Sequence, residues 1–182
     1  AVFLGLVLYY FFVDLPSEQK EKVEKERVEK IFPLEMEKVL EFSIAVNGNP
    51  ITLKRKAPHS WDLTRPLSAL GDSAEAEAFL SEIKNLKKTR VVEENPKDLS
   101  IYGLSTPFLK IHFKFENKKE ETLLLGDESP MGGNLYIKRE SHPAVMMAPT
   151  SRSRFEKSVY SFRDKTLLSF STGNIKRIQI IS

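Results

Sequence analysis

The stretch FLKIHFKF, residues 108–115, constrains the fold more tightly than any other part of the chain. Leu109, Ile111, Phe113 and Phe115 alternate with Lys110, His112 and Lys114. A period of two marks a strand, whose successive side chains leave opposite faces. One face of that strand is apolar and the other is wet. A sheet that is wet on one side is expected to be antiparallel, because the crossovers of a parallel sheet cover both faces.

Other segments supply partners for it. From Val39 the period is again two, with Phe42, Ile44 and Val46 on one face. Asn47-Gly48-Asn49-Pro50 then turns the chain into Ile51 and Leu53, which reads as a hairpin. Trp61 and Leu63 in SWDLTRP give a third strand. TRVV, ETLLLG, LYIKR and AVMMA continue the series, with corner chemistry in PKDLSIYGLSTP and a Gly-rich turn in DESPMGGN. Asp72 followed by Glu75 predicts a capping box, and Phe79, Leu80, Ile83 and Leu86 fall at helical spacing through about Lys87. SRSRFEKSVYSF predicts a second short helix with Phe155 and Val159 on its buried side. The expected class is α+β: a mostly antiparallel sheet with one helix inserted after the third strand and another after the last.

The first residues, AVFLGLVLYYFFVDLP, pose a different problem. A helix over residues 1–13 would rise about 20 Å against a hydrocarbon core of roughly 30 Å. The chain does not open on Met, so upstream residues are expected to complete the span. Tyr9, Tyr10, Phe11 and Phe12 cluster just before Asp14 and Pro16, where an aromatic belt marks the membrane interface. No small-residue cleavage site follows, which argues against a signal peptide. A buried strand is the alternative, since Val, Phe and Tyr also favour sheets. SEQKEKVEKERVEKIF then pairs Glu with Lys at helical spacing and carries few apolar residues, as a polar spacer does. The expected layout is the end of a transmembrane helix over 1–13, a charged helical spacer over 14–33 and an extracytoplasmic domain over 34–168. A terminal strand over 169–182 completes it. There Phe170, Ile175, Ile178 and Ile180 echo Leu34, Val39, Phe42 and Ile44, as the start of a second domain copy would.

Length and charge narrow the function classes. The 182 residues hold one medium domain, or one domain and the start of another. Lys and Arg number 28 against 25 Asp and Glu, interleaved as in EKVEKERVEK. That is a solvated mixed surface, and no nucleic-acid partner is expected. The most basic region, Arg152 to Lys165, reads as a solvated helix face, with an anionic partner or lipid headgroup as the alternative. Without Cys there is neither disulfide nor thiolate chemistry. His59, His112 and His142 lack metal-ligand spacing, so no metal and no cofactor is expected. The 126–133 loop lacks the GK[ST] ending of a phosphate loop, and its glycines read as a hairpin turn needing positive φ. Asp127 and Glu128 are adjacent and would diverge rather than converge as an acid–base pair. Trp61 reads as a core anchor, with ligand stacking as the alternative. No catalytic residue is assigned.

SWDLTRPLSALGDSAEAEAFLSEIKNLKKTRVV, DLSIYGLSTP, LLLGDESPMGGNLYI and FRDKTLLSF, in this order and spacing, resemble an uncharacterised bacterial domain family. Its members are membrane-anchored extracytoplasmic proteins, often encoded beside ABC-2-type exporter permeases and gliding-motility-type auxiliary subunits. Many begin with one transmembrane helix and a charged spacer, and many carry the domain in tandem. The resemblance covers Phe32 to the C-terminus and brings no catalytic residues with it. Its signature positions, Trp61, Pro66, Tyr102, Gly103, Leu104, Pro107, Gly126, Gly133 and Tyr136, are of types that fix turns and fill cores. It implies a non-enzymatic auxiliary or scaffold subunit of an export or envelope complex. That subunit would be held in the bacterial inner membrane and would face the periplasm or exterior. Lys110, His112, Lys114, Asp127 and Glu128 are the expected partner contacts. The alternative is a small-ligand or glycan-binding module using Trp61, Tyr102 or the Gly-rich loop.

Overall fold

The computed structural model describes residues 30–32, 35–46, 49–166 and 179. The expected transmembrane stump, its aromatic belt at Tyr9, Tyr10, Phe11 and Phe12, most of the spacer and the terminal echo lie outside these residues. Among the described residues no helix is long and apolar enough to cross a membrane.

Nine strands form one sheet among the described residues. In chain order they are β1 (Val39–Val46), β2 (Asn49–Ala57), β3 (Ser60–Arg65), β4 (Ala69–Leu70), β5 (Arg90–Glu93), β6 (Leu109–Phe115), β7 (Glu120–Glu128), β8 (Leu135–Arg139) and β9 (Val145–Ala148). Across the sheet the order is β4-β3-β2-β1-β6-β7-β8-β9-β5, and every neighbouring pair is antiparallel. Helix α1 (Ser73–Lys84) follows β4 and carries the chain from that edge to β5 at the opposite edge. A single turn of helix, α2 (Val159–Phe162), comes after the last strand.

The α+β expectation is therefore corrected: the fold is β-rich, one antiparallel sheet served by few helices. The second expected helix accounts for much of the difference. Over 151–162 the chain makes a 3-10 turn at Arg152–Arg154, breaks, and starts again at Ser158, whose side chain accepts from Ser161 N at 3.2 Å. Serines that can bond the local backbone favour such caps over a continuous helix. α1 is also shorter than expected. Leu86 leaves the helical path to donate to Ile83 O at 3.2 Å, and its carbonyl accepts from Ile31 N at 3.0 Å. Half of the capping box forms: Asp72 accepts from Glu75 N at 3.0 Å, while the Glu75 carboxylate accepts instead from Lys157 at 2.6 Å.

The main core lies between the sheet and α1. Phe42, Ile44, Leu53, Trp61 and Leu63 meet Phe79, Leu80 and Ile83 of the helix, as the two periodicities require. Phe42 is its hub, with ring centroids 5.2 Å from Trp61, 5.6 Å from Phe79 and 5.8 Å from Phe162. Each such side chain contributes about 1.5–3 kcal/mol on burial. Ile31 and Phe32 belong to this core although they fall at the end of the expected spacer. Phe32 is fully buried, 5.0 Å from the Phe113 ring.

A second, smaller core covers the opposite face at one end of the sheet. Tyr102, Leu104, Leu124 and Val145 are buried together there, with Val92, Leu99 and Tyr136 packed against them. Consecutive residues of β7 thus serve both cores, Leu123 and Leu125 facing α1 and Leu124 facing the turn around Ser100–Tyr102.

Candidate functional site

The outward face of β6 carries Lys110, His112 and Lys114, as its alternation predicts. Each finds a carboxylate. Lys110 Nζ lies 3.3 Å from Glu140, His112 Nε2 lies 3.4 Å from Glu120, and Lys114 Nζ lies 2.9 Å from Glu41. His112 Nδ1 is also 3.2 Å from the Thr122 hydroxyl. Hydrogen bonding to Glu41 raises the Lys114 pKa, and hydrogen bonds from Thr122 and then Lys110 lower that of Glu140.

Register extends this pattern across the sheet. Asp62 on β3 is opposite Lys54 on β2, Lys54 opposite Glu41 on β1, Glu41 opposite Lys114 on β6, and Lys114 opposite Glu120 on β7. Signs alternate over five adjacent strands. Opposite charges directly across a sheet contribute about 0.2–1 kcal/mol per pair. The row is polar and offered to solvent, and Glu41, Lys54, Lys114 and Glu120 line a cleft of about 310 Å³.

Asp127 and Glu128 do not join it. The β6 trio faces the first half of β7, whereas these two acids are its last residues. Asp127 accepts from Arg152 Nη2 at 2.5 Å, and Glu128 accepts from Arg152 N at 3.3 Å. The same guanidinium lies over the Phe108 ring, 4.8 Å from its centroid. The two carboxylates are thus engaged in docking the 152–154 turn onto the end of β7.

The signature glycines explain the neighbouring geometry. A Cβ on Gly126 would stand 2.1 Å from Tyr102 O, and Gly103, at φ +65°, lies where a Cβ would meet the Asp127 carboxylate. DLSIYGL and LLLGD are therefore halves of one contact, in which the 99–104 turn is seated on β7. Tyr102 donates to Glu93 at 2.8 Å, which raises its pKa, and stacks edge-on to Tyr136 at 5.0 Å. Gly132 and Gly133 also have positive φ but no close neighbour, so they serve the hairpin turn alone. That turn leaves Met131 91% exposed.

Trp61 is 1% exposed and fills the core. Its ring carries the Arg55 guanidinium 4.3 Å from the centroid, and its Nε1 donates to Glu77 at 2.8 Å. Glu77 accepts from Arg55 through the same oxygen, and Arg55 Nε donates to Val39 O, each at 2.8 Å. Arg55 and Glu77 line a cleft of about 440 Å³ with Glu37, Leu40, His59 and Glu116. This arrangement escaped the sequence reading. Its signal was a cation at the inward position after Ile51 and Leu53 in ITLKRKA. A second missed group is Glu121, 3% exposed, which accepts from Arg139 at 2.7 Å and from Ser141 N at 3.2 Å. Burial pushes its carboxyl up, but the Ser141 hydroxyl and Arg139 outweigh that and hold it below the usual range. Among the described residues no group of three His, Asp or Glu is placed to hold a metal ion.

The fold and its motif contacts define a β-rich domain whose signature residues build turns and their seats. The profile of DUF4340, a domain of unknown function, matches residues 61–182, and the chain belongs to that family. No curated protein and no solved structure matches.

Proposed function

We propose that this protein is a membrane-anchored extracytoplasmic subunit that works through protein–protein contact, without catalysis, in a bacterial ABC-type export or envelope complex. The observation that carries the reading is the alternating row of charge on the outward sheet face. A face whose charges alternate in sign, with Glu41 and Lys114 paired across it at 2.9 Å, suits docking to a partner of complementary pattern, because complementary charge fixes register. The apolar N-terminal run with its aromatic end supports the anchor, and the resemblance described above supports the company.

Capture of the full chain from membranes in mild detergent tests it. Permease or auxiliary subunits should be recovered, and the double variant Lys110→Gln/Lys114→Gln should lose them while unfolding within a few degrees of the parent chain. Recovery of no transporter component in several detergents, or equal recovery by the variant, would count against this reading.

A further inference from the structure

The entry of the chain into the fold is fixed. Lys30 forms a bridge with Lys87, Ile31 N donates to Leu86 O at 3.0 Å, and Phe32 is buried beneath them in the core. Beside this entry lies KNLKKTR, residues 84–90, with four cations and no acid. Arg154, from the other basic stretch, lines a cleft of about 340 Å³ together with Asn85, Leu86 and Lys87. Two basic segments distant in sequence are thereby brought to one place, at the β5 edge of the sheet.

Lys84 is paired with Glu37, but four other cations here differ from those on β6. Lys30, Lys88, Arg90 and Arg154 have no carboxylate partner among the described residues, whereas each basic side chain of the β6 trio has one. Glu82, the carboxylate lining the cleft, turns its Oε2 into the interior, where it is buried. Uncompensated cations around the point where a membrane tether enters are complementary to an anionic bilayer surface. Sixteen residues, 14–29, separate this entry from the apolar run and reach at most about 55 Å.

We infer that Lys30, Lys88, Arg90 and Arg154 form a basic collar that rests on anionic lipid headgroups and turns the β5 edge toward the bilayer. This rests on the membrane-anchor reading. Each cation at such a surface contributes roughly fivefold to its occupancy, and the effect is screened by salt.

The chain has no Cys, so single labels are available. A fluorophore on Asn85→Cys reports the collar, and one on Leu70→Cys, 62% exposed on β4, reports the opposite edge. The labelled full chain is placed in nanodiscs of phosphatidylcholine with or without phosphatidylglycerol, each with a headgroup-borne quencher. Quenching at 85 should exceed that at 70 about threefold or more in anionic discs. High salt, neutral discs or the triple variant Lys88→Glu/Arg90→Glu/Arg154→Glu should remove the excess. Equal quenching at both edges, or indifference to lipid charge, overturns the collar alone. A chain that does not co-elute with the discs overturns the anchor reading and the collar with it.

Discussion

Lys110 and Leu124 are direct cross-strand partners on one face of the sheet, yet Lys110 is in water and Leu124 is buried. The boundary between two kinds of sheet runs between them. On the β2-β1-β6 side the outward face is wet, and β6 reads buried, exposed, buried along its length. On the β7-β8-β9 side the 99–104 turn packs on Leu124, Tyr136 and Val145, and residues 121–126 of β7 and all of β9 are buried whichever way they point. The difference teaches that a local turn, not a second sheet or a helix, converts a one-sided sheet into a two-sided one. It does so through the absence of side chains at Gly103 and Gly126.

The hardest way to break the comparison is to remove a core-facing charge while sparing its outward neighbour. Glu121→Gln takes the carboxylate from a buried pair and should cost about 3 kcal/mol near neutral pH, where removal of one partner leaves a charge uncompensated. Glu120→Gln, one residue away on the wet face, should change stability by less than about 0.5 kcal/mol. Because the folded pKa of Glu121 is lowered, its contribution is present above the unfolded value and lost as pH falls through the folded one. Denaturant midpoints of the parent chain and Glu121→Gln should therefore converge in acid; a constant gap down to pH 2 would sink this account.

Gly126→Ala should come close behind. The 2.1 Å approach to a backbone oxygen leaves no room for a methyl group, and lifting the 99–104 turn should cost about 2–3 kcal/mol. The covered half should then behave like the open one, with faster hydrogen exchange in β7 and β9 while β1 and β2 stay protected. Uniform loss of protection would show that the halves are not separable. Leu124→Ala should cost about 2 kcal/mol or more, since it opens a cavity under the turn. Its partner substitution, Lys110→Ala, should stay within about 0.5 kcal/mol. Equal midpoints for this last pair would erase the boundary drawn here.

The open half was readable from sequence and the covered half was not. Phe42, Ile44, Leu53, Trp61 and Leu63 are all buried where the alternation put them. ETLLLG has no alternation to read, and nothing in its residues says that DLSIYGL will sit upon it. The alternating charge row was likewise invisible, because it exists only once five strands have taken their register. Ile31 and Phe32 were hidden by composition: two apolar residues at the end of a run of Glu and Lys gave no sign that they complete the core. In the candidate site, β6 gave up its outward trio by period alone. The tethering of Asp127 and Glu128 required Arg152, which lies more than twenty positions away in the chain.

The strand order has a consequence for how such a chain is made. β5 is synthesised before β6, yet Arg90 finds its partner only at Met147. Strands β1 to β4 can pair as they appear, and β6 can add to β1 once residue 115 is available, but the far edge waits for nearly the whole domain. Non-local pairings form slowly and leave unpaired edges exposed meanwhile. A chain emerging N-terminus first therefore completes its wet half early and carries Val91 and Val92 unprotected until β9 appears. That interval, rather than the finished domain, is where a folding helper would have something to hold.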